Sequence, residues 1–118
     1  MANVKLGTKA VGSIVKIKVN GASKDFIVVQ QGNPNTSTYD SSCNGTWLLM
    51  KDIYTTSTFG NNNSYKDSSI HTYLNGTFYN LIDSNIRAAI KQVKIPYQNG
   101  TGSGGSLATG SNGLSTKV

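Results

Sequence analysis

Few side chains in this sequence could carry chemistry. Its 118 residues include one histidine, His71, one cysteine, Cys43, five aspartates and no glutamate. A nucleophilic triad needs an imidazole beside a hydroxyl or thiol, with a carboxylate to orient it. Ser68 and Ser69 precede His71, but neighbours on a single helix do not build an oxyanion hole. Cys43 stands before Asn44-Gly45 with no basic neighbour to favour a reactive thiolate. One Cys and one His fall short of a zinc site, and a lone Cys has no partner for a disulfide within the chain. Asp40, Asp52, Asp67 and Asp83 are scattered, without the spaced loop that calcium favours, and five dispersed Asp residues make a poor source for the paired acids of sugar hydrolysis. No Gly-rich loop follows a strand and opens a helix, as a phosphate cradle requires. The expectation is no catalytic residue, no metal and no cofactor.

What the chain has instead is uncharged hydrogen-bonding capacity. Asn, Ser, Thr and Gly make up 52 of the 118 residues. Aromatic residues are spread through these polar stretches. A sugar offers C–H patches and hydroxyls together, so an aromatic face beside amide groups suits it. Tyr39, Tyr54 and Tyr65, with Asn61 and Asn63, are the candidate ligand-binding residues. The competing reading has each tyrosine anchoring its own loop onto the core. The formal net charge of +6 sets ten Lys and one Arg against five Asp. Lys16, Lys18 and Lys24 group at one place and Arg87, Lys91 and Lys94 at another, but neither forms a block. Arg is the usual bidentate reader of phosphate, so nucleic acid is not an expected partner. No apolar stretch follows Met1 as in a secretory leader, and none reaches the roughly 20 residues that span a bilayer.

The elements that would position these residues follow from periodicity. Val15, Ile17 and Val19 alternate with Lys16 and Lys18, the mark of a half-buried strand. Asn20-Gly21 then closes a hairpin, and the apolar run from Phe26 to Val29 reads as the returning, central strand. Residues 31–45 are a polar loop. Trp47-Leu48-Leu49-Met50 reads as a core strand continuing towards Ile53 and Tyr54. Ser68 is a fitting N-cap for a helix carrying Ile70, Tyr73 and Leu74 on one face, stopped by Asn75-Gly76, with Phe78, Leu81 and Ile82 continuing as a short turn of helix or a packed loop. Asp83 would cap a second helix with Ile86, Ala89, Ile90 and Val93 buried, Arg87, Lys91 and Lys94 outward, and Lys91 near its C-terminus. Lys94 to Tyr97 is a short extended segment, kept to an edge by Pro96. Residues 98–118 read as a Gly/Ser-rich loop or disordered tail without a closing element. The expected class is α+β: an N-terminal β-hairpin and a Trp-containing strand packed with two short helices.

Four stretches carry a resemblance: Gly12-Ser13-Ile14-Val15-Lys16, Gly45-Thr46-Trp47-Leu48-Leu49-Met50-Lys51, Ile70-His71-Thr72-Tyr73-Leu74-Asn75, and Ile90 to Tyr97. Together they resemble an uncharacterised domain family found in proteins of Gram-positive gut bacteria and their prophages. That family is similar to C-type-lectin-like folds, including the phage and retroelement-diversified receptor binders built on them. The likeness covers about residues 10–97. It implies that residues 1–97 are the N-terminal half of a lectin-like domain, incomplete here because the family's closing Trp/Arg motif has no counterpart. It also implies a non-enzymatic binding domain of a phage or prophage tail or surface protein, attaching to a cell-surface glycan or protein receptor. The place implied is the virion or extracellular surface, reached without a signal peptide. Further partners on this reading are other virion subunits, a second half completing the domain, or further copies of the chain as a homo-oligomer. Two other readings stand beside it: a structural virion protein making subunit contacts, and a cell-wall polysaccharide hydrolase.

Overall fold

The computed structural model describes residues 5–60, 64–98 and 106–118. Its first framework is the hairpin at Asn20-Gly21. Strands β1 (Ile14–Val19) and β2 (Ala22–Gln31) pair antiparallel, with Val19 opposite Ala22 and Ile14 opposite Ile27. The two turn residues have φ of 52° and 80°, the left-handed pair that a tight two-residue turn between twisted strands requires. Alternation then sorts the side chains: Ile17 and Val19 are buried, Lys16 and Lys18 exposed. Strand β2 is central, with β3 (Thr46–Met50) on its other side. Its apolar run is nevertheless buried on one face only. Phe26 and Val28 are inside, while Val29 is 42 % exposed, beside a register shift between Val28 and Gln30 that takes up one extra residue.

Strand β3 stops earlier than its apolar run suggests. The Lys51 amide still bonds to Asp25 O at 2.9 Å. The chain then leaves the sheet: Ile53 is 88 % exposed and Tyr54 packs against the core. Residues 51–54 are therefore a bend, not a continuation of the strand.

Helix α1 (Ser69–Tyr73) begins as expected, with Ser68 Oγ accepting from His71 N at 3.1 Å. Asn75-Gly76 does not end it. Leu74–Phe78 forms a wider π turn and α2 (Tyr79–Leu81) follows directly. Burial explains the continuation, because Phe78 and Ile82 complete the core with Ile17, Val19 and Phe26. Helix α3 (Ser84–Arg87) is a single turn. Asp83 starts it through its main-chain oxygen, which accepts from Ile86 N and Arg87 N, while its side chain makes no capping bond. The longer second helix expected from the 3.6-residue stripe does not form. Ile86 and Ile90 do pack against the core, but Ala89 is exposed and Val93 enters strand β4. Lys91 lies beyond the helix, and its Nζ donates to Asn44 O at 2.6 Å.

The end of the chain departs most from expectation. Strands β4 (Val93–Ile95) and β5 (Tyr97–Gln98) flank Pro96. Within the stretch read as a loop or tail, β6 (Leu107–Ala108) pairs with β5, and β7 (Leu114–Thr116) pairs with β4. Leu114 and Thr116 are buried, and Val118 packs against the core. Strands of two or three residues carry almost no periodic signal, so composition outweighed pairing in the sequence. The observed class is a small mixed α+β fold of antiparallel sheets and few helices.

Candidate functional site

Two polar staples hold the short elements in place. At the first, the Asn75 carboxamide joins the π turn to the end of the chain. Its Oδ1 accepts from Thr116 Oγ1 at 3.0 Å, Lys117 N at 2.7 Å and Val118 N at 3.2 Å. Its Nδ2 donates to His71 O at 3.2 Å and Val118 O at 3.3 Å. Every polar position of the side chain is thus used. The residue expected to stop a helix instead ties β7 to it.

At the second staple, the short 3₁₀ turn Ser41–Cys43 grips β4. Ser42 Oγ accepts from Lys94 N at 3.0 Å, and the buried Cys43 Sγ bonds to Lys94 O at 3.1 Å. Trp47 Nε1 donates to Cys43 O at 3.1 Å, with Tyr39 edge-on to the Trp47 ring at 5.9 Å. Cys43 is accordingly a packed, hydrogen-bonded part of the frame. Asp40 accepts from Ser42 N at 3.0 Å. Hydrogen bonds from the Ser42 side chain and amide hold its carboxyl below the usual range.

The candidate tyrosines make separate contacts. Tyr39 belongs to the Trp47 corner, where the Asn33 side chain donates to the oxygens of both Tyr39 and Asp40. Tyr54 stacks edge-on against Phe78 at 5.4 Å. Tyr65 lies between Phe59 and His71, at 6.4 and 5.0 Å, and burial pushes its phenol up. Each ring fastens a loop to the body, and among the described residues none of the three contacts another. Asn61 and Asn63 lie outside the described residues. Tyr54 lines a hollow of about 140 Å³ together with Lys24, Asp25 and Asp52.

A larger and more open dish, of about 280 Å³, lies over the Asn75 staple. The helical run contributes His71, Asn75 and Tyr79 to it, and the segment around β7 contributes Ser115, Thr116 and Lys117; Gln92 completes the lining. Lys117 Nζ sits 5.1 Å from the centre of the Tyr79 ring, and Tyr79 Oη donates to Arg87 O at 3.3 Å. The dish gathers an amide, hydroxyls, an imidazole, an aromatic ring and an ammonium on walls fixed by Asn75. Among the described residues, no group of three or more His, Cys, Asp or Glu stands where it could hold a metal ion. No helix among them is long and apolar enough to cross a membrane.

Sequence reasoning missed this dish. Its walls are distant along the chain, and the strand that brings them together was not recognised. The one available signal was the Tyr73-Leu74-Asn75 stretch, which marked a likeness without revealing what Asn75 binds.

A family model described as a domain of unknown function (DUF6273) matches residues 44–118. The chain belongs to this family. The matched stretch opens at Asn44, whose oxygen receives Lys91, and runs through Trp47, the helical segment, the dish and β7. Strands β1 and β2 precede it. No curated protein and no solved structure matches the chain.

Proposed function

We propose that this chain is a non-enzymatic binding domain of C-type-lectin-like type, carried by a phage or prophage tail or surface protein, that attaches to a cell-surface glycan. The observation that supports it is the open dish over Asn75. Gln92, Ser115 and His71 offer hydrogen bonds there beside the Tyr79 ring, the combination that sugar hydroxyls and C–H faces call for. A shallow, solvent-open site suits a polymer on a cell wall or capsule better than it suits a small metabolite, which is generally enclosed. The working place on this reading is the virion or extracellular surface.

The test is a glycan array together with cell-wall pull-down. Gln92→Ala and Ser115→Ala are the variants, since both residues are exposed and their loss spares the core. Saccharide binding by the wild type, weakened in both variants, is expected. A protein that retains no glycan on either assay overturns the reading.

A second reading, a structural protein making subunit contacts, draws on the outward face of the sheet. Ile14, Ile27 and Leu49 form a cross-strand row there, with Ile14 46 % and Leu49 59 % exposed. Concentration-dependent association in sedimentation, abolished by Leu49→Lys, would favour it.

A further inference from the structure

The dish is uneven in charge. None of its lining residues is a carboxylate, while Lys117 brings a full positive charge and His71 brings an imidazole. Among the described residues Lys117 has no ion-pair partner; the ion pair found is Lys16–Asp25, on the sheet. The ammonium is nonetheless placed, because it lies over the Tyr79 ring, whose electron-rich face attracts a cation. Its backbone is placed as well, since Lys117 N is bonded to Asn75 Oδ1 at 2.7 Å. The adjoining main-chain oxygen of Val118 is held by Asn75 Nδ2 and Thr116 Oγ1. A positioned cation beside neutral donors and an aromatic face is a site for an anion attached to a hydroxyl-rich body.

We infer that the dish binds an acidic carbohydrate. Lys117 takes the carboxylate or phosphate, and Gln92, Ser115 and the Tyr79 ring take the neighbouring hydroxyls and C–H face. The inference rests on the glycan-binding reading and narrows its ligand class. A carboxylate of a uronic acid and a phosphate of a polyol-phosphate polymer present the same chemistry to Lys117, and the experiment separates them.

Calorimetry and amide chemical-shift mapping would be run on the full chain with three ligands: a uronic-acid oligosaccharide, its neutral counterpart of equal length, and a polyol-phosphate oligomer. At least one acidic ligand is expected to bind about tenfold or more tightly than the neutral sugar, the scale of one charge-assisted hydrogen bond. Whichever of the two binds more tightly identifies the source of the anion. The affinity should fall with added salt, and the perturbed amides should include Gln92, Ser115 and Lys117. Lys117→Met should remove the preference for the acidic ligand. Lys18→Met, a change on the exposed face of β1, should leave both affinities unaltered. Equal affinity for acidic and neutral sugars, or equal losses from Lys18→Met and Lys117→Met, overturns the acidic assignment while leaving glycan binding standing. Failure of all three ligands, together with an empty glycan array, defeats the attachment reading itself.

Discussion

Strand β2 and strand β7 sit at opposite extremes of the same fold. β2 runs from Ala22 to Gln31 between two neighbours and buries Phe26 and Val28 beneath it. β7 runs from Leu114 to Thr116, pairs with the three residues of β4, and is fastened by the carboxamide of Asn75. The first is fixed by apolar alternation spread over many residues, so the loss of any one hydrogen bond there is absorbed by the ladder. The second depends on a few side-chain bonds, each with a particular partner. A lesson for reading such chains is that uncharged polar residues can hold secondary structure as well as cover a surface. The dish belongs to the second kind of region, so its shape is only as secure as those bonds.

The largest expected effect comes from the residue the two regions share. Phe78 is buried among Ile17, Val19 and Phe26 of the sheet, and the rim of that cluster includes Val118. Phe78→Ala should cost about 3–5 kcal/mol of stability. Urea unfolding should show the loss as one lowered midpoint, reported alike by far-ultraviolet dichroism and by Trp47 fluorescence. Two separated transitions would mean that the sheet and the terminal strands have independent cores.

Asn75→Ala should separate the regions where Phe78→Ala joins them. Removing a carboxamide that serves several part-buried groups should cost about 2–3 kcal/mol, at about 1 kcal/mol for each net hydrogen bond and more where a partner is left unsatisfied. Hydrogen exchange should then quicken at Leu114, Thr116 and Lys117 while the amides of β1 and β2 keep their protection. Loss of protection throughout the sheet would show that β7 is integral to the core, and the contrast between the regions would fail. Glycan binding should weaken in this variant too, because the walls of the dish are no longer held together.

How much of this was legible in the sequence follows the same division. Val15, Ile17 and Val19 alternating with lysines, and Asn20-Gly21 after them, declared the hairpin because period and turn chemistry agreed. Ser68 declared a helix start for the same reason, since its hydroxyl serves an amide three residues away. Asn75-Gly76 misled because the local stop signal competed with the burial of Phe78, and burial prevailed. The stripe from Ile86 to Val93 misled in the opposite way. Its apolar spacing suited a helix, but the pairing of Val93–Ile95 with Leu114–Thr116 claimed the end of it. Of the candidate site, Tyr54 lines a hollow, Tyr39 sits edge-on to Trp47, and Tyr65 lies between Phe59 and His71 in the described structure. Gln92 and Ser115 carried no signal of their own, because what brings them together is a three-residue strand inside a Gly-rich stretch.

Gly113→Ala gives a smaller and more local version of the Asn75 experiment. A Cβ at Gly113 would lie 2.7 Å from Ile95 O and 3.1 Å from Gly110 O. Both are main-chain atoms that cannot swing aside. The turn leading into β7 would have to shift, at a cost of about 1–3 kcal/mol, as for overpacking elsewhere. Chemical-shift changes should be concentrated at Ile95, Gly110 and Leu114. A variant with unaltered stability would show that β4 and β7 tolerate a looser register than their pairing suggests.

The smallest expected effect lies on the sheet, and it tests whether that region owes anything to charge. Lys16 and Asp25 face each other across β1 and β2 with Nζ 2.7 Å from Oδ1. The hydrogen bond from Lys16 is the main cause holding the Asp25 carboxyl below its usual value of 3.8. A carboxylate whose folded value is depressed contributes stability above its unfolded value and loses it as pH falls through the folded one. Wild type and Asp25→Asn should therefore differ at neutral pH and converge as the pH drops below about 3.8. The Lys16 side chain is 70 % exposed, so the difference at neutral pH should also shrink with added salt. The comparison is made with urea midpoints at neutral and acidic pH, each at low and high salt. A gap that ignores both variables would mean that Asp25 acts through packing or β-propensity and not through its charge. A gap as large as that of Asn75→Ala would show the sheet to depend on a single polar pair as heavily as β7 does, and the contrast between the two regions would be lost.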